Sequence, residues 1–124
     1  MRVLLFGTFD LLHPGHRFVI EEGTKRGEVT VVVARDVTVA RIKKHVPRQA
    51  EHERRKSIEE AYPAVTAILG DPEDYLVCVR NVKPDLILLG YDQQFPQGVT
   101  AESFPCPIER LQAFEPEKWK SSRM

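Results

Sequence analysis

Short apolar runs alternate with mixed polar segments along the 124 residues of the chain. Helices are predicted in the mixed segments at 16–26, at about 49–62 and from Pro72 to about 82. The apolar runs have the length and the β-branched or aromatic content of buried strands: 2–6, 28–34, 64–69, 85–89 and 107–111. Residues 35–47 are predicted as a basic connection. The alternation of strand and helix predicts an α/β fold.

Strands that alternate with helices pair in parallel, because right-handed crossovers lay the helices over both faces of the sheet. The sequence therefore predicts a three-layer α/β/α domain over residues 1–124, with a mostly parallel five-stranded sheet. Ligands bind such sheets beyond the carboxyl ends of the strands, where the strand order reverses. The segments after the first, second and fourth strands read GTFD, ARD and LGYDQ, and each contains an aspartate. This edge of the sheet is the predicted site.

Composition excludes some partners. The 18 basic residues are balanced by 18 acidic ones, so there is no overall charge for binding nucleic acid, and any anion site must be local. Cys78 and Cys106 lack the spacing of metal ligands, which favours a reduced pair over a single disulfide. No apolar run has the length of a signal peptide or a membrane span. We expect a cytoplasmic protein that binds neither nucleic acid nor membrane.

The stretch FGTFDLLHPGH, residues 6–16, contains the candidate chemistry. Gly7 permits a sharp turn and the close approach of a ligand, and Thr8 offers a hydroxyl group. The Pro-Gly bend places His16 in the first turn of a helix, where the positive end of the helix favours a phosphate. His13 and His16 can then donate to phosphate oxygens and to a leaving pyrophosphate. The alternatives are a polar loop with a ring bonded to backbone carbonyls, and a zinc site, for which further ligands are missing nearby.

GTFD followed by HPGH resembles the signature of the HxGH nucleotidyltransferases, in their cytidylyltransferase-like branch. The resemblance implies a Rossmann-like sheet. It also implies transfer of a nucleoside monophosphate from a nucleoside triphosphate to a phosphate-bearing acceptor, with release of pyrophosphate. A triphosphate needs a charge partner, so Mg²⁺ or a similar ion is expected with the nucleotide, and no protein metal site is predicted.

Other segments match this family in order: a lysine-bearing loop (RIKK), an arginine at a helix start (HERRKSIEEA), a glycine-acidic pair (LGYD) and a serine pair (KSSRM). The resemblance implies catalytic roles for His13, His16, Lys43 and Arg55. It implies nucleotide contacts for Gly7, Thr8, Phe9, Gly15, His16, Gly90, Asp92, Ser121 and Ser122.

The acceptor is expected near Asp10, Asp36 and Arg55. The two aspartates can meet acceptor hydroxyls, help to hold Mg²⁺ or cap a helix. Arg55 can hold a phosphate through its two-pronged guanidinium. The alternative for the arginine pair is an ion pair, four residues along the helix, with Glu51 or Glu59, and we expect it at Arg54 more than at Arg55.

The stretches VARDVTV and LGYDQ are most similar to the archaeal-type FAD synthetases, which transfer AMP from ATP to FMN. GTFDLLH and HERRKSIEEA fit glycerol-3-phosphate and other polyol-phosphate cytidylyltransferases equally well, and a sugar-1-phosphate adenylyltransferase is a third alternative. The partners are therefore ATP, or else CTP, and a small phosphorylated acceptor. A nucleotide-binding module without catalysis is the alternative of a different class. The resemblance also implies a homodimer.

Overall fold

The computed structural model describes residues 1–43, 47–74, 76–90, 93 and 100–112. The strands are β1 (Arg2–Gly7), β2 (Glu28–Val33), β3 (Thr66–Leu69), β4 (Leu86–Leu89) and β5 (Ile108–Arg110). The α-helices are α1 (Pro14–Arg26), α2 (Asp36–Lys43), α3 (Glu51–Ala61) and α4 (Val77–Val82), and a 3₁₀ turn covers Ala101–Ser103.

The strands form one sheet in the order β3-β2-β1-β4-β5, and every pair of neighbours in the described chain is parallel. The chain moves outward from β1 to β3 and then crosses back to β4 on the other side of β1. The strand order therefore reverses between β1 and β4, and the loops after these two strands meet at that point. The predicted Rossmann-like α/β fold is confirmed.

Successive side chains of the strands supply two cores on opposite faces of the sheet. Helices α1 and α3 cover one face, where Ile20 and Ile58 pack with Val3 and Leu5. Helix α4 covers the other face, where Val79 packs with Leu4, Phe6 and Ile87. Each fully buried aliphatic side chain contributes about 1.5–3 kcal/mol through the hydrophobic effect. The two cores make the three layers that the sequence predicts.

Helix α2 is a correction, because residues 35–47 were predicted as a connection. Its sequence, DVTVARIK, has β-branched residues with low helix propensity and no clear apolar stripe. Contacts from elsewhere in the chain stabilise it instead. The N–H of Asp36 donates to Glu51 Oε1 at 2.8 Å, and Arg41 donates to the carbonyl of Pro72 at 2.8 Å. Val39, at 2% exposure, anchors the helix in the interior.

Helix α4 begins at Val77, later than predicted. The carboxylate of Asp71 accepts hydrogen bonds from the N–H groups of Glu73 (2.8 Å) and Asp74 (2.7 Å). Such a side-chain turn offers the backbone an alternative to a helix, so the residues after Pro72 form a turn. Among the described residues, no helix has the length and apolar character needed to cross a membrane.

Candidate active site

His13 and His16 form the capping box of α1. His13 is the N-cap residue, and its Nδ1 accepts hydrogen bonds from the N–H groups of Gly15 (3.0 Å) and His16 (3.4 Å). In return, Nδ1 of His16 accepts the N–H of His13 at 3.4 Å. A Ser or Thr and a Glu or Gln usually fill these two positions. The same three-residue spacing stacks the two rings, with centroids 3.6 Å apart. Their contact with a phosphate stays a prediction.

The cap hydrogen bonds also assign the protons of the two rings. Because both Nδ1 atoms accept from backbone N–H groups, a neutral ring must carry its proton on Nε2, the nitrogen farther from the helix backbone. His13 is exposed and His16 is partly exposed, so the pair lies at the surface. The N-terminus of α1 adds partial positive charge at the same place. This arrangement suits an anion that accepts N–H hydrogen bonds.

Two glycines make room for aromatic rings. A Cβ on Gly15 would lie 2.9 Å from Cε1 of His13, so the cap requires glycine at this position. A Cβ on Gly7 would lie 2.7 Å from Cε2 of Phe9, so a side chain takes the space that the sequence analysis left for a ligand. Phe9 is 4% exposed, and its ring centroid is 5.2 Å from that of His16. Phe9 therefore supports His16 from the core, and its contact with a nucleotide stays a prediction.

Arg54 is a site residue that the sequence analysis missed. Its guanidinium has no exposed surface, and it donates to the carbonyl of Thr8 (2.8 Å), the carbonyl of Gln49 (3.1 Å) and Oδ1 of Asp36 (2.6 Å). The ion pair with a glutamate four residues along the helix, which was expected at Arg54, forms at Arg55 instead, with Glu59 at 3.1 Å. That prediction was wrong.

Helix phase explains the exchange. Arg54 lies one helical turn before Ile58, and these two residues form the buried side of α3. Arg55 lies one residue further along and remains partly exposed. The spacing to Ile58, an isolated apolar residue in the sequence of this helix, is the signal that identifies Arg54.

Asp10 binds the segment that precedes α3. Its two carboxylate oxygens accept the N–H groups of Arg48 (2.8 Å) and Gln49 (2.9 Å), and the Gln49 side chain accepts the N–H of Leu11 (3.0 Å). Desolvation raises the pKa of Asp10, but the two N–H groups and the charge of Arg54 outweigh it and hold this pKa below its ordinary value. These contacts join the loop after β1 to the segment after α2. A contact of Asp10 or Asp36 with an acceptor stays a prediction.

Gln93 joins the end of β1 to the segment after β4, and the sequence analysis missed it within LGYDQ. Its side chain accepts the N–H of Gly90 (3.1 Å) and donates to the carbonyl of Phe6 (2.7 Å). Arg110 donates to the carbonyls of Gly90 (3.1 Å) and Gln93 (2.6 Å). The strand ends are thereby held together where the strand order reverses.

Four other predicted site residues are described only in part or not at all. Lys43 is the last residue of α2, and its side chain lies outside the described part. Asp92, Ser121 and Ser122 also lie outside the described residues. In the described ranges, no three His, Cys, Asp or Glu side chains are grouped as metal ligands. A cleft of about 550 Å³ opens between Leu12 and Ser57, and neither histidine lines it.

The strand order first defines a class: a Rossmann-like protein, here with a capped histidine pair at the start of its first helix. A model of the cytidylyltransferase-like family matches residues 4–110, so the chain belongs to that family. The family predicted from GTFD and HPGH is confirmed.

Two FAD synthases and one solved structure are similar to this chain. The FAD synthase of Aciduliprofundum boonei is 47% identical over 98 residues, which cover 78% of this chain and 65% of that protein. The FAD synthase of Methanopyrus kandleri is 38% identical over 123 residues, which cover 92% of this chain and 81% of that protein. The chain thus spans just under two thirds of the first relative and more of the second. A crystal structure of a lipopolysaccharide core biosynthesis protein from Thermoplasma volcanium is 38% identical, covers 93% of this chain and 98% of that one, and superposes with a TM-score of 0.80.

Proposed function

We propose that this protein is a nucleotidyltransferase, and specifically an FMN adenylyltransferase, an FAD synthase that transfers AMP from ATP to the phosphate of FMN. The observation that carries the proposal is the stacked pair of His13 and His16 at the start of α1. The pair supplies N–H donors at the surface, and the N-terminus of α1 supplies partial positive charge at the same place. Both suit a triphosphate. The choice of FMN is supported by relatives that are named FAD synthase and are 38% to 47% identical to this chain.

In the proposed reaction, an oxygen of the FMN phosphate attacks the α-phosphorus of ATP. A new phosphorus–oxygen bond forms while the bond from the α-phosphorus to the bridging oxygen breaks, and pyrophosphate leaves with the electron pair. The attacking phosphate is already anionic, so no general base is needed. The Nε2–H groups of His13 and His16 donate to the oxygens that gain charge, and one such donor stabilises the transition state by about 3 kcal/mol.

Other residues complete the proposed site. Lys43 would neutralise the triphosphate, and Arg55 would exchange its ion pair with Glu59 for a phosphate. Gly90 and Asp92, with Ser121 and Ser122, remain the proposed further contacts of the nucleotide. The homodimer, the cytoplasmic location and the single domain over residues 1–124 also stay predictions.

Mg²⁺ is proposed to arrive with the triphosphate and to supply charge neutralisation there. Magnesium is commonly bound through one or two carboxylates together with substrate phosphates. The Asp36 carboxylate, 40% exposed, fits such a role.

The test is product formation from defined substrate pairs. Purified protein with ATP, FMN and Mg²⁺ is expected to yield FAD and pyrophosphate in equal amounts, measured by chromatography and a coupled pyrophosphate assay. Excess chelator is expected to stop the reaction. Pyrophosphate from CTP and glycerol 3-phosphate, but not from ATP and FMN, would overturn the substrate assignment. Absence of pyrophosphate with every pair, sugar 1-phosphates included, would favour a binding module without catalysis.

A further inference from the structure

We propose that Arg54 is a positioning residue, which fixes the loop after β1 and the start of α2 around the nucleotide without touching it. The inference rests on the proposed function, since it assigns Arg54 a part in nucleotidyl transfer. Its basis is the meeting of three separate segments on one buried guanidinium.

The three acceptors of Arg54 come from different parts of the chain. The Thr8 carbonyl belongs to the loop after β1, the Asp36 carboxylate begins α2, and the Gln49 carbonyl precedes α3. The side chain is 0% exposed, so it is not available to bind a substrate. Arg54 acts on the site only through the groups that it holds.

The contact with Thr8 fixes a peptide unit of the loop after β1. A trans peptide is planar, with its C=O and N–H pointing in opposite directions. Anchoring the carbonyl of Thr8 on Arg54 therefore turns the N–H of Phe9 away from α3. Phe9 itself has φ 53°, a conformation that residues other than glycine rarely adopt, and its ring contacts His16. The position of the loop and the support of His16 thus depend on the same buried charge.

The contact with Asp36 fixes α2, which ends at Lys43. Asp36 is bonded to Arg54 through Oδ1, while its Oδ2 accepts the N–H of Glu51 at 3.3 Å. The far end of the same stretch is fastened by Asp10, which accepts the N–H groups of residues 48 and 49. The stretch that carries Lys43 is therefore held at its start by Arg54 and at its end by Asp10. Arg54 also bonds to the loop after β1, and Asp10 belongs to that loop.

Stability alone does not require an arginine here. Well-packed apolar residues of similar volume often replace a buried ion pair without loss of stability, whereas removal of one partner is damaging. A lysine cannot reproduce the contacts, since it lacks the planar fork that reaches several acceptors at once. Substitution of Arg54 therefore tests whether the geometry of its three contacts matters for activity.

The experiment compares Arg54→Met, Arg54→Lys, Arg54→Ala and two controls on the same helix. Lys56→Met changes an exposed charge, and Ile58→Val shortens a buried neighbour outside the network. Turnover, the KM values for ATP and FMN, and the calorimetric affinity for Mg-ATP are measured at a temperature where circular dichroism shows each variant folded.

We expect Arg54→Met to lower kcat and the affinity for Mg-ATP at least about tenfold, because the loop after β1 and the start of α2 are then no longer fixed. Arg54→Lys should fall between this variant and the wild type. Both controls should retain wild-type kcat, even where Ile58→Val lowers the melting temperature. Methylguanidinium should restore part of the activity of Arg54→Ala, whereas neutral urea should not.

A folded Arg54→Met variant with wild-type kcat and Mg-ATP affinity would overturn the proposal. So would an equal loss of activity in Ile58→Val at matched stability, because that result would indicate a general effect on the fold. If Arg54→Met does not fold, the Arg54→Lys variant decides by the same criteria. If the wild type makes no FAD, the proposed function fails, and the Mg-ATP affinities of the variants still decide the role of Arg54.

Discussion

The two ring nitrogens of His13 are used for different purposes. Nδ1 caps α1 by accepting the N–H groups of Gly15 and His16, and Nε2 carries the proton that the proposed reaction needs as a donor. An asparagine side chain can supply the cap oxygen but does not reach the position of Nε2. Substitution at this residue therefore separates the folding contribution from the catalytic one.

We expect His13→Asn to keep the unfolding free energy within about 0.5 kcal/mol of the wild type, because asparagine is a favourable N-cap. His13→Ala should lose about 1 kcal/mol, because the cap is gone. Both variants should lower kcat for FAD formation about a hundredfold, the scale of losing one transition-state donor. Urea denaturation and product assays on the same preparations check both effects. Wild-type turnover in His13→Asn would contradict the role assigned to Nε2.

The histidine pair could be predicted from the sequence because its spacing is local: three residues and a Pro-Gly determine the helix start. The role of Arg54 could not be predicted from local spacing. Arg54 and Arg55 are adjacent, and which of them faces the core depends on the phase of α3 relative to the sheet. Gln93 depends on an even longer separation, since it bonds to Phe6, which is 87 residues away along the chain.

At the scale of elements, α1 approaches β2 closely at Gly23. Glycine in a helix is ordinarily unfavourable by about 1 kcal/mol relative to alanine, and the sequence alone suggests a weak point. In the structure Gly23 is buried, and a Cβ there would lie 3.0 Å from Cγ2 of Val29. Val29 is 3% exposed within β2, so it has little room to move. The glycine therefore sets the distance between helix and sheet.

We expect Gly23→Ala to destabilise the protein, since overpacking costs about 1–3 kcal/mol and exceeds the gain in helix propensity. Adding Val29→Ala should remove the clash, so the two substitutions should be less damaging together than the sum of their separate effects. Thr24→Ala, exposed on the same helix, is the matched control and should change stability by less than about 0.5 kcal/mol. Urea denaturation of the four variants and the wild type gives the coupling. A more stable Gly23→Ala protein would show that α1 can move away from β2.

Elements that carry their own pattern could be predicted, and those held by distant side chains could not. The strands β1 and β2 are apolar runs, and α3 is a charged segment that is closed by Pro63. Helix α2 depends on Glu51, which is 15 residues from Asp36 along the chain. The start of α4 depends on the turn at Asp71, where the side chain competes with the helix for N–H groups.

At the scale of the whole molecule, the residues of the candidate site come from elements on opposite halves of the sheet. The loop after β1 contacts the segment before α3, and the end of β1 itself is bonded to Gln93. Unfolding separates these parts, so a ligand that needs them together binds the native state and not the unfolded chain. Ligand binding and stability are therefore linked.

We expect Mg-ATP at a hundred times its Kd to add about 2.7 kcal/mol to stability. For a chain of this size, 1 kcal/mol corresponds to roughly 2–8 °C in Tm, so a rise of about 10 °C is expected by differential scanning fluorimetry. Because the site binds phosphates, adenosine at the same concentration is the control and should shift Tm far less than ATP. CTP should also shift Tm less than ATP, since the proposed donor is ATP. An equal shift with adenosine and ATP would place binding away from the histidine pair, because adenosine has no phosphate for the Nε2–H groups to reach.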